Sequence, residues 1–257
     1  MNDSTPLGAA ERLANSFGFR NVEAEDKAGL VHDVFARVAG RYDLMNDVMS
    51  GGIHRLWKEA LVDWLMPRPG RHYADVAGGT GDIATRILGR LDGQARISVI
   101  DINEAMLATG RDRAIDAGWL GQIDWIVGDA QLLPLRSASV DAVTIAFGIR
   151  NVTRIELALA EARRVLKPGG RFLCLEFSKV FLPLLDKLYD AYSFNVVPLL
   201  GQLVAGDAAS YRYLVESIRQ FPDQQAFARL VASAGLERVR YRNLSGGIAA
   251  IHSAWRL

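Results

Sequence analysis

The run Asp75-Val76-Ala77-Gly78-Gly79-Thr80-Gly81-Asp82 constrains this chain of 257 residues more than any other feature. It follows a stretch that reads as a strand, 71–74, and opens one that reads as a helix, 83–91. Glycines at such a turn let the backbone pass close to a ligand and adopt dihedrals that a Cβ forbids. The next apolar run, Ile97-Ser98-Val99-Ile100, ends on Asp101. An acid at the tip of the second strand, roughly 20 residues beyond the glycines, accepts hydrogen bonds from ribose hydroxyls. Glycine turn and acid together predict a site for a nucleoside-containing cofactor.

The spacing argues against a dinucleotide. A nicotinamide or flavin fingerprint reads G-x-G-x-x-G, with the pyrophosphate on the helix N-terminus. Here the glycines are Gly78, Gly79 and Gly81, and Asp82 places a carboxylate where that pyrophosphate would sit. The helix dipole offsets only about 0.3–1 kcal/mol of such a repulsion. A cofactor with a ribose and a cationic centre but no phosphate fits better, and S-adenosylmethionine is such a molecule.

Further along, Ile123-Asp124-Trp125-Ile126-Val127 reads as a third strand ending at Gly128-Asp129-Ala130, where an acid can meet an adenine amino group. Residues 140–146 form a continuous apolar run, as in parallel strands buried on both faces. A helix is expected over 154–166, stopped by Lys167-Pro168-Gly169-Gly170, then a fifth strand over 171–177. Strands alternating with helices imply a doubly wound parallel sheet, with the ligand across the carboxyl ends of the strands. Gly78 to Gly81, Asp101, Asp129 and Ala146 all fall at such ends. Two short β-like runs, 236–244 and 248–255, flank Ser245-Gly246-Gly247 and read as an antiparallel hairpin. The expected fold class is therefore α/β, with a mostly parallel sheet closed by that hairpin; as a Rossmann-like class I methyltransferase the sheet would have seven strands, a step taken by analogy.

Length and apolar content suit one domain with a large core. A net charge of +1 with interspersed signs implies no nucleic-acid partner. The one cysteine, Cys174, falls inside the fifth strand and reads as a buried, inert thiol in a reducing compartment. The four histidines, His32, His54, His72 and His252, are scattered, so no metal site is expected. Residues 1–16 lack the basic start and apolar core of a signal peptide, and a cytoplasmic location is expected.

Two segments lie outside the cofactor core. Residues 31–66 mix Tyr42, Asp43, Asn46 and His54 with aromatics and methionines, and read as helices packed over the cofactor mouth, a lid closing on substrate, or both. Residues 178–222 carry Phe181, Leu184, Leu185, Leu188, Tyr189 and Tyr192 at helical spacing, then a run without charge from Ala191 to Gly206. That run is shorter than the ~20 residues that span a bilayer and is broken by Pro198 and Gly201. It reads as a core helix and loop, as an apolar wall for a long lipid-like substrate, or as a shallow membrane contact. The expected organisation is an N-terminal extension, 1–30, and a single domain, 31–257. Within it lie the lid (31–66), cofactor core (71–177), insertion (178–222), and C-terminal helix with hairpin (223–257).

At this point several stretches are specific enough to carry a resemblance. Tyr42-Asp43-Leu44-Met45-Asn46-Asp47, Gly52 to Lys58, Asp75 to Asp82, Phe147-Gly148-Ile149-Arg150-Asn151-Val152, Leu175-Glu176-Phe177-Ser178, Tyr211 to Ile218 and Leu244 to Ala249 are similar to those of the ubiquinone/menaquinone-biosynthesis C-methyltransferases. The resemblance runs from about Phe17 to the end. It implies S-adenosylmethionine as cofactor, held by Thr80, Asp101, Asp129 and Ala130 with the backbone at Ala146. It implies a polyprenyl quinol as substrate, either 2-polyprenyl-6-methoxy-1,4-benzoquinol or demethylmenaquinol; peripheral contact with the inner face of the membrane stays open. A homodimer or a biosynthetic complex stays open. The commoner class I pattern has glycine where this chain has Ala77, and alanine is usual in the family.

Methylating a ring carbon requires that carbon to be electron-rich, which a quinol is once a hydroxyl proton leaves. Arg150 and Asn151, just past the fourth strand, are the candidates at the reacting end. An arginine cannot serve as an ordinary base at neutral pH, so Arg150 would hold a water or the phenolate, with Asn151 orienting. The plainer alternative for this pair is a capped loop leading a helix. Tyr42, Asp43, Asn46 and His54 would add a base from the lid. Also open are another lipophilic phenol or a small soluble acceptor as substrate, and a non-catalytic adenosylmethionine-binding scaffold.

Overall fold

A computed structural model of the chain describes residues 6–38, 47, 50–180 and 208–257. Tyr42, Asp43, Asn46 and the run 181–206 lie outside the described residues. In chain order come α1 (Pro6–Ala14), β1 (Ser16–Phe17), β2 (Arg20–Asn21), α2 (Ala24–Val38) and α3 (His54–Leu65). There follow β3 (His72–Val76), α4 (Asp82–Arg90), β4 (Arg96–Asp101), α5 (Glu104–Asp116), β5 (Ile123–Val127) and β6 (Val140–Ala146). After a 3-10 turn, Ile149–Asn151, the chain forms α6 (Ile155–Val165) and β7 (Leu166–Phe177). The last elements are α7 (Ala208–Gln220), α8 (Gln224–Ser233), β8 (Glu237–Leu244) and β9 (Ala249–Trp255).

Seven strands form one sheet in the order β5-β4-β3-β6-β7-β9-β8. The five strands β5 to β7 are mutually parallel, while β9 pairs antiparallel with both β7 and β8. The expected hairpin is present, with its second strand docked on the parallel sheet and its first at the edge. Both faces of the sheet are covered, so neighbouring residues on one strand feed different cores. Val99, Leu173 and Leu175 pack with Trp57 and Leu61 of α3, Ile83 and Ile87 of α4, and Leu214 of α7. Ile100, Phe172 and Cys174 point the other way, to Leu13 of α1, Leu159 of α6 and Phe227 of α8. The chain runs outward from β3 to β5 and then jumps back across β3 to β6. That reversal opens a crevice at the carboxyl ends of β3 and β6, where doubly wound sheets bind ligands.

The boundaries differ from expectation in three places. The first strand runs on through Asp75 and Val76, which pair with Val99 and Ile100, so the glycine turn starts later and Asp82 is the first residue of its helix. β7 begins at Leu166 and contains the predicted breaker, Lys167 to Gly170, as an irregularity. Two hydrogen bonds explain it: Gly169 N donates to Arg256 O (2.7 Å), and Arg256 N donates to Gly170 O (3.0 Å), so the chain end satisfies the bulged backbone. The boundary drawn at residue 30 falls inside α2, and α1 contributes Ala10 and Leu13 to the main core.

Candidate cofactor and acceptor site

Two strand ends turn unusually sharply. Ala77, after β3, has φ 50°, and Phe147, after β6, has φ 58°, a region costly for any residue with a Cβ. These turns bring the two strand ends into contact: a Cβ on Gly148 would lie 2.5 Å from that of Ala77. A Cβ on Gly78 would lie 2.9 Å from Asp75 O and Oδ2 and from Val99 Cγ1. Gly81 serves differently. It caps α4 at φ 73°, packed on Trp125 behind the pocket wall.

The crevice is lined by Gly78, Gly79 and Thr80 after β3, by Asp101, Ile102 and Asn103 after β4, and by Asp129 and Ala130 after β5. Ala146, Phe147 and Asn151 close it on the β6 side. Asp101 is held ready by backbone donors: Gly79 N to Oδ2 (2.8 Å) and Asn103 N to Oδ1 (2.9 Å). Burial pushes its carboxyl above the usual range, against those hydrogen bonds. Asp129 accepts from Gln131 N (2.9 Å) and from the Gln131 amide at both oxygens. Ile102 stays half exposed beside Asp101, a flat apolar surface suited to a nucleobase.

Charge collects below the turn. Asp75 is buried on β3; its Oδ1 accepts from Thr144 Oγ1 (2.8 Å), while Oδ2 has no partner among the described residues. Burial, outweighing the Thr144 hydrogen bond, raises its carboxyl to about 7. Asp82 is not the bare anion its position in the sequence suggests. Lys58 Nζ of α3 reaches its Oδ2 at 2.6 Å and Arg86 Nε its Oδ1 at 2.7 Å. Burial pushes Asp82 up, but these two cations outweigh it and hold its carboxyl below the usual range. The N-terminus of α4 thus carries its own neutralised carboxylate, which leaves no place for a pyrophosphate.

Several lining residues carry no motif. Ala28, Val31 and His32 come from α2, so the helix that spans the boundary drawn at residue 30 forms part of the wall. Asn103 N-caps α5 through Oδ1, leaving a buried Nδ2 without a partner among the described residues. Lys58 and Gln131 also line the crevice and are visible only in three dimensions.

The predicted reacting residues separate. Asn151 lines the crevice, and its Oδ1 accepts from Tyr213 Oη (3.0 Å), whose ring stacks on Phe17 at 4.2 Å. Arg150 turns inward and is 2% exposed. Its Nη1 donates to Phe147 O (2.7 Å) and to Glu176 Oε1 (2.8 Å), while Nε and Nη2 have no partner among the described residues. His54 is buried at the start of α3, 3.0 Å from Ser50 Oγ and 3.6 Å from Asp47 Oδ1, and does not line the crevice. Burial, and next the charge of Lys58, lower its imidazole to about 4, far below the range of a base for a phenol.

These residues fit an adenosylmethionine. A backbone cradle closed to any Cβ, an acid preset for a diol, an apolar plate and two orphaned buried polar atoms, Asp75 Oδ2 and Asn103 Nδ2, answer the needs of a phosphate-free nucleoside with a cationic tail. Fold and site together define a Rossmann-like methyltransferase. Among solved structures, a SAM-dependent methyltransferase from Thermotoga maritima superposes with a TM-score of 0.62 at 20% identity, over 88% of this chain and 99% of that one. The model of the ubiE/COQ5 methyltransferase family matches residues 20–256, and the chain belongs to that family. Its relatives include the ubiquinone/menaquinone biosynthesis C-methyltransferase UbiE of Paracoccus denitrificans, 61% identical over 94% of this chain and 96% of that protein. The protein of the same name from Brucella abortus is 57% identical over 98% of this chain and 94% of its own length. The chain is an S-adenosylmethionine-dependent methyltransferase. Among the described residues no helix is long and apolar enough to cross a membrane.

Proposed function

We propose that this chain methylates a ring carbon of a polyprenylated quinol, 2-polyprenyl-6-methoxy-1,4-benzoquinol or demethylmenaquinol, as the names of its relatives suggest. When bound, S-adenosylmethionine supplies an electrophilic methyl group on a sulfonium. Asp101, Asn103 and Asp129 would hold its nucleoside, with Gly78, Gly79 and the backbone at Ala146 passing close beside it. Asp75 lies beneath the same turn, and its Oδ2, without a partner among the described residues, can accept from a cationic tail.

The observation that carries the acceptor assignment is Asn151 on the crevice wall, its Oδ1 held by Tyr213 Oη (3.0 Å), with the Arg150 guanidinium buried one residue behind it. A quinol that loses a hydroxyl proton places negative charge on oxygen and on the ortho carbon. The Arg150 guanidinium behind this wall favours that developing negative charge, while the hydroxyl proton passes to a base. Asn151, braced by Tyr213, would orient the ring. Tyr42 is retained as the lid's candidate base, and no proton transfer is assigned to His54. Ile53 and Leu56, exposed at the start of α3, support a shallow contact with the lipid in which such a substrate dissolves.

The test is methyl transfer from labelled adenosylmethionine into both chemically reduced acceptors. Label in either lipid is the expected result, and the ratio names the preferred ring. Label in neither, with cofactor binding intact, overturns the proposal.

A further inference from the structure

Among the described residues, four carboxylates line the crevice, Asp75, Asp82, Asp101 and Asp129, and one lysine or arginine does, Lys58. Adenosylmethionine ends in an amino acid, and its α-carboxylate would meet repulsion among four acids without a cation beside it. Lys58 comes from α3, away from the strand ends that supply the other contacts, and its side chain is 6% exposed. An ammonium so deeply placed needs acceptors for its three N–H donors. The described residues take one of them: Nζ donates to Asp82 Oδ2 at 2.6 Å. Asp82 has a second cation of its own, since Arg86 Nε donates to its Oδ1 at 2.7 Å. Glu59, next to Lys58 in the chain, is paired elsewhere, with Arg86 and Arg90. Burial dominates the Asp75 carboxyl, yet the charge of Lys58 also acts on it, so the two groups lie within electrostatic reach of each other. A carboxyl with a free oxygen and an ammonium with two free N–H bonds, in one crevice, are the complement of a zwitterion.

We propose that Lys58 Nζ binds the α-carboxylate of adenosylmethionine, with Asp82 fixing the ammonium and Asp75 accepting from the cofactor's α-ammonium, a role that rests on the placement of the cofactor given above. Through Lys58 the helix α3, which precedes every strand of the large sheet, becomes part of the cofactor site. The pair then reads the amino-acid tail as well as the nucleoside, and the protein discriminates against a nucleoside sulfonium that lacks the carboxylate. A salt bridge between Lys58 and Asp82 that served packing alone would give no such discrimination.

The experiment is calorimetry on the full chain with S-adenosylmethionine and with its decarboxylated analogue, which keeps the nucleoside, the sulfonium and the amine. Wild type is expected to bind the analogue about 10- to 100-fold more weakly, the worth of one charged hydrogen bond. Lys58→Met is expected to weaken adenosylmethionine by a similar factor and to leave the analogue no weaker, so that the preference disappears. Lys58→Gln, which can still donate to Asp82, is expected to lose the preference too, and decides alone if the methionine variant does not fold. A loss shared equally by both ligands, with the preference intact, overturns the proposal, as does a wild type that binds both alike. Asp101→Ala checks the placement beneath it and is expected to weaken both ligands by one factor. If it weakens neither, the placement of the nucleoside fails; if it weakens both while the Lys58 variants keep the preference, only the role of Lys58 falls.

Discussion

At the carboxyl ends of β3 to β5, Asp75, Asp101 and Asp129 converge on an open crevice; at the ends of β6 and β7, Arg150 and Glu176 close on each other out of reach of water. The first region satisfies its carboxylates from the backbone, Thr144 and Gln131, and leaves Asp75 Oδ2 over. The second cancels charge with charge and leaves one guanidinium edge over. Half of the edge is thus built around something that arrives and departs, and half must be intact before anything arrives. Loss of a side chain should accordingly show as lost affinity on the first side and as lost stability on the second.

The largest expected effect tests the second side. Glu176→Ala strands a buried guanidinium and should cost about 3–5 kcal/mol in urea unfolding, whereas replacing both partners, Arg150→Met with Glu176→Leu, should cost far less. A loss below about 1 kcal/mol for the single change would remove the contrast. On the first side, Asp101→Ala should weaken adenosylmethionine binding by about 100-fold, the worth of one to two charged hydrogen bonds. Stability of the cofactor-free chain should move by less than about 1 kcal/mol, since a carboxyl raised by burial adds little to folding. Calorimetry and unfolding on one preparation decide it.

A smaller effect distinguishes the two by pH. The Asp75 carboxyl titrates near 7 in the fold and near 3.8 when unfolded. The unfolded chain therefore loses this proton first, and stability from this group falls as pH rises from about 4 to about 7, then levels. The imidazoles of His54 and His252, both lowered to about 4, act oppositely: their contribution is present above pH 6.5 and lost as pH falls toward 4. Asp75→Asn should remove the first slope and keep the second, so urea midpoints at pH 5 and pH 8 should show a variant that gains most at the higher pH. Equal gains at both would place Asp75 outside this account. The smallest effect concerns strain: Ala77→Gly should raise stability by up to about 1 kcal/mol by freeing a left-handed turn, less the entropy of glycine. A lower melting temperature would mean that the turn is not strained.

Local signals were strong where chemistry is written into consecutive residues. The glycine turn, Asp101, and strands β5 and β6 were legible because each depends on runs of a few residues. The ends of β3 and β7 were misjudged because an acid and a Pro-Gly-Gly run discourage a strand locally. Only the partners Thr144 and Arg256, distant in sequence, make those extensions tolerable. Arg150 was found by its place after a strand, yet nothing nearby in sequence announces that it turns inward to Glu176. Lys58, Gln131 and the wall formed by α2 were missed for the same reason.

By itself the sequence determined the order of the strands in the cofactor core and the class of cofactor, and it proposed the strand ends that would meet it, because period, turn chemistry and acid spacing are properties of short windows. The tertiary structure alone decided which charges are paired. It gave Asp82 to Lys58 and Arg86, left Asp75 without a second donor, and set Glu176 against one corner of Arg150. Those outcomes depend on burial and on contacts between residues far apart in the chain, and the energy of a charge is set by what surrounds it in space.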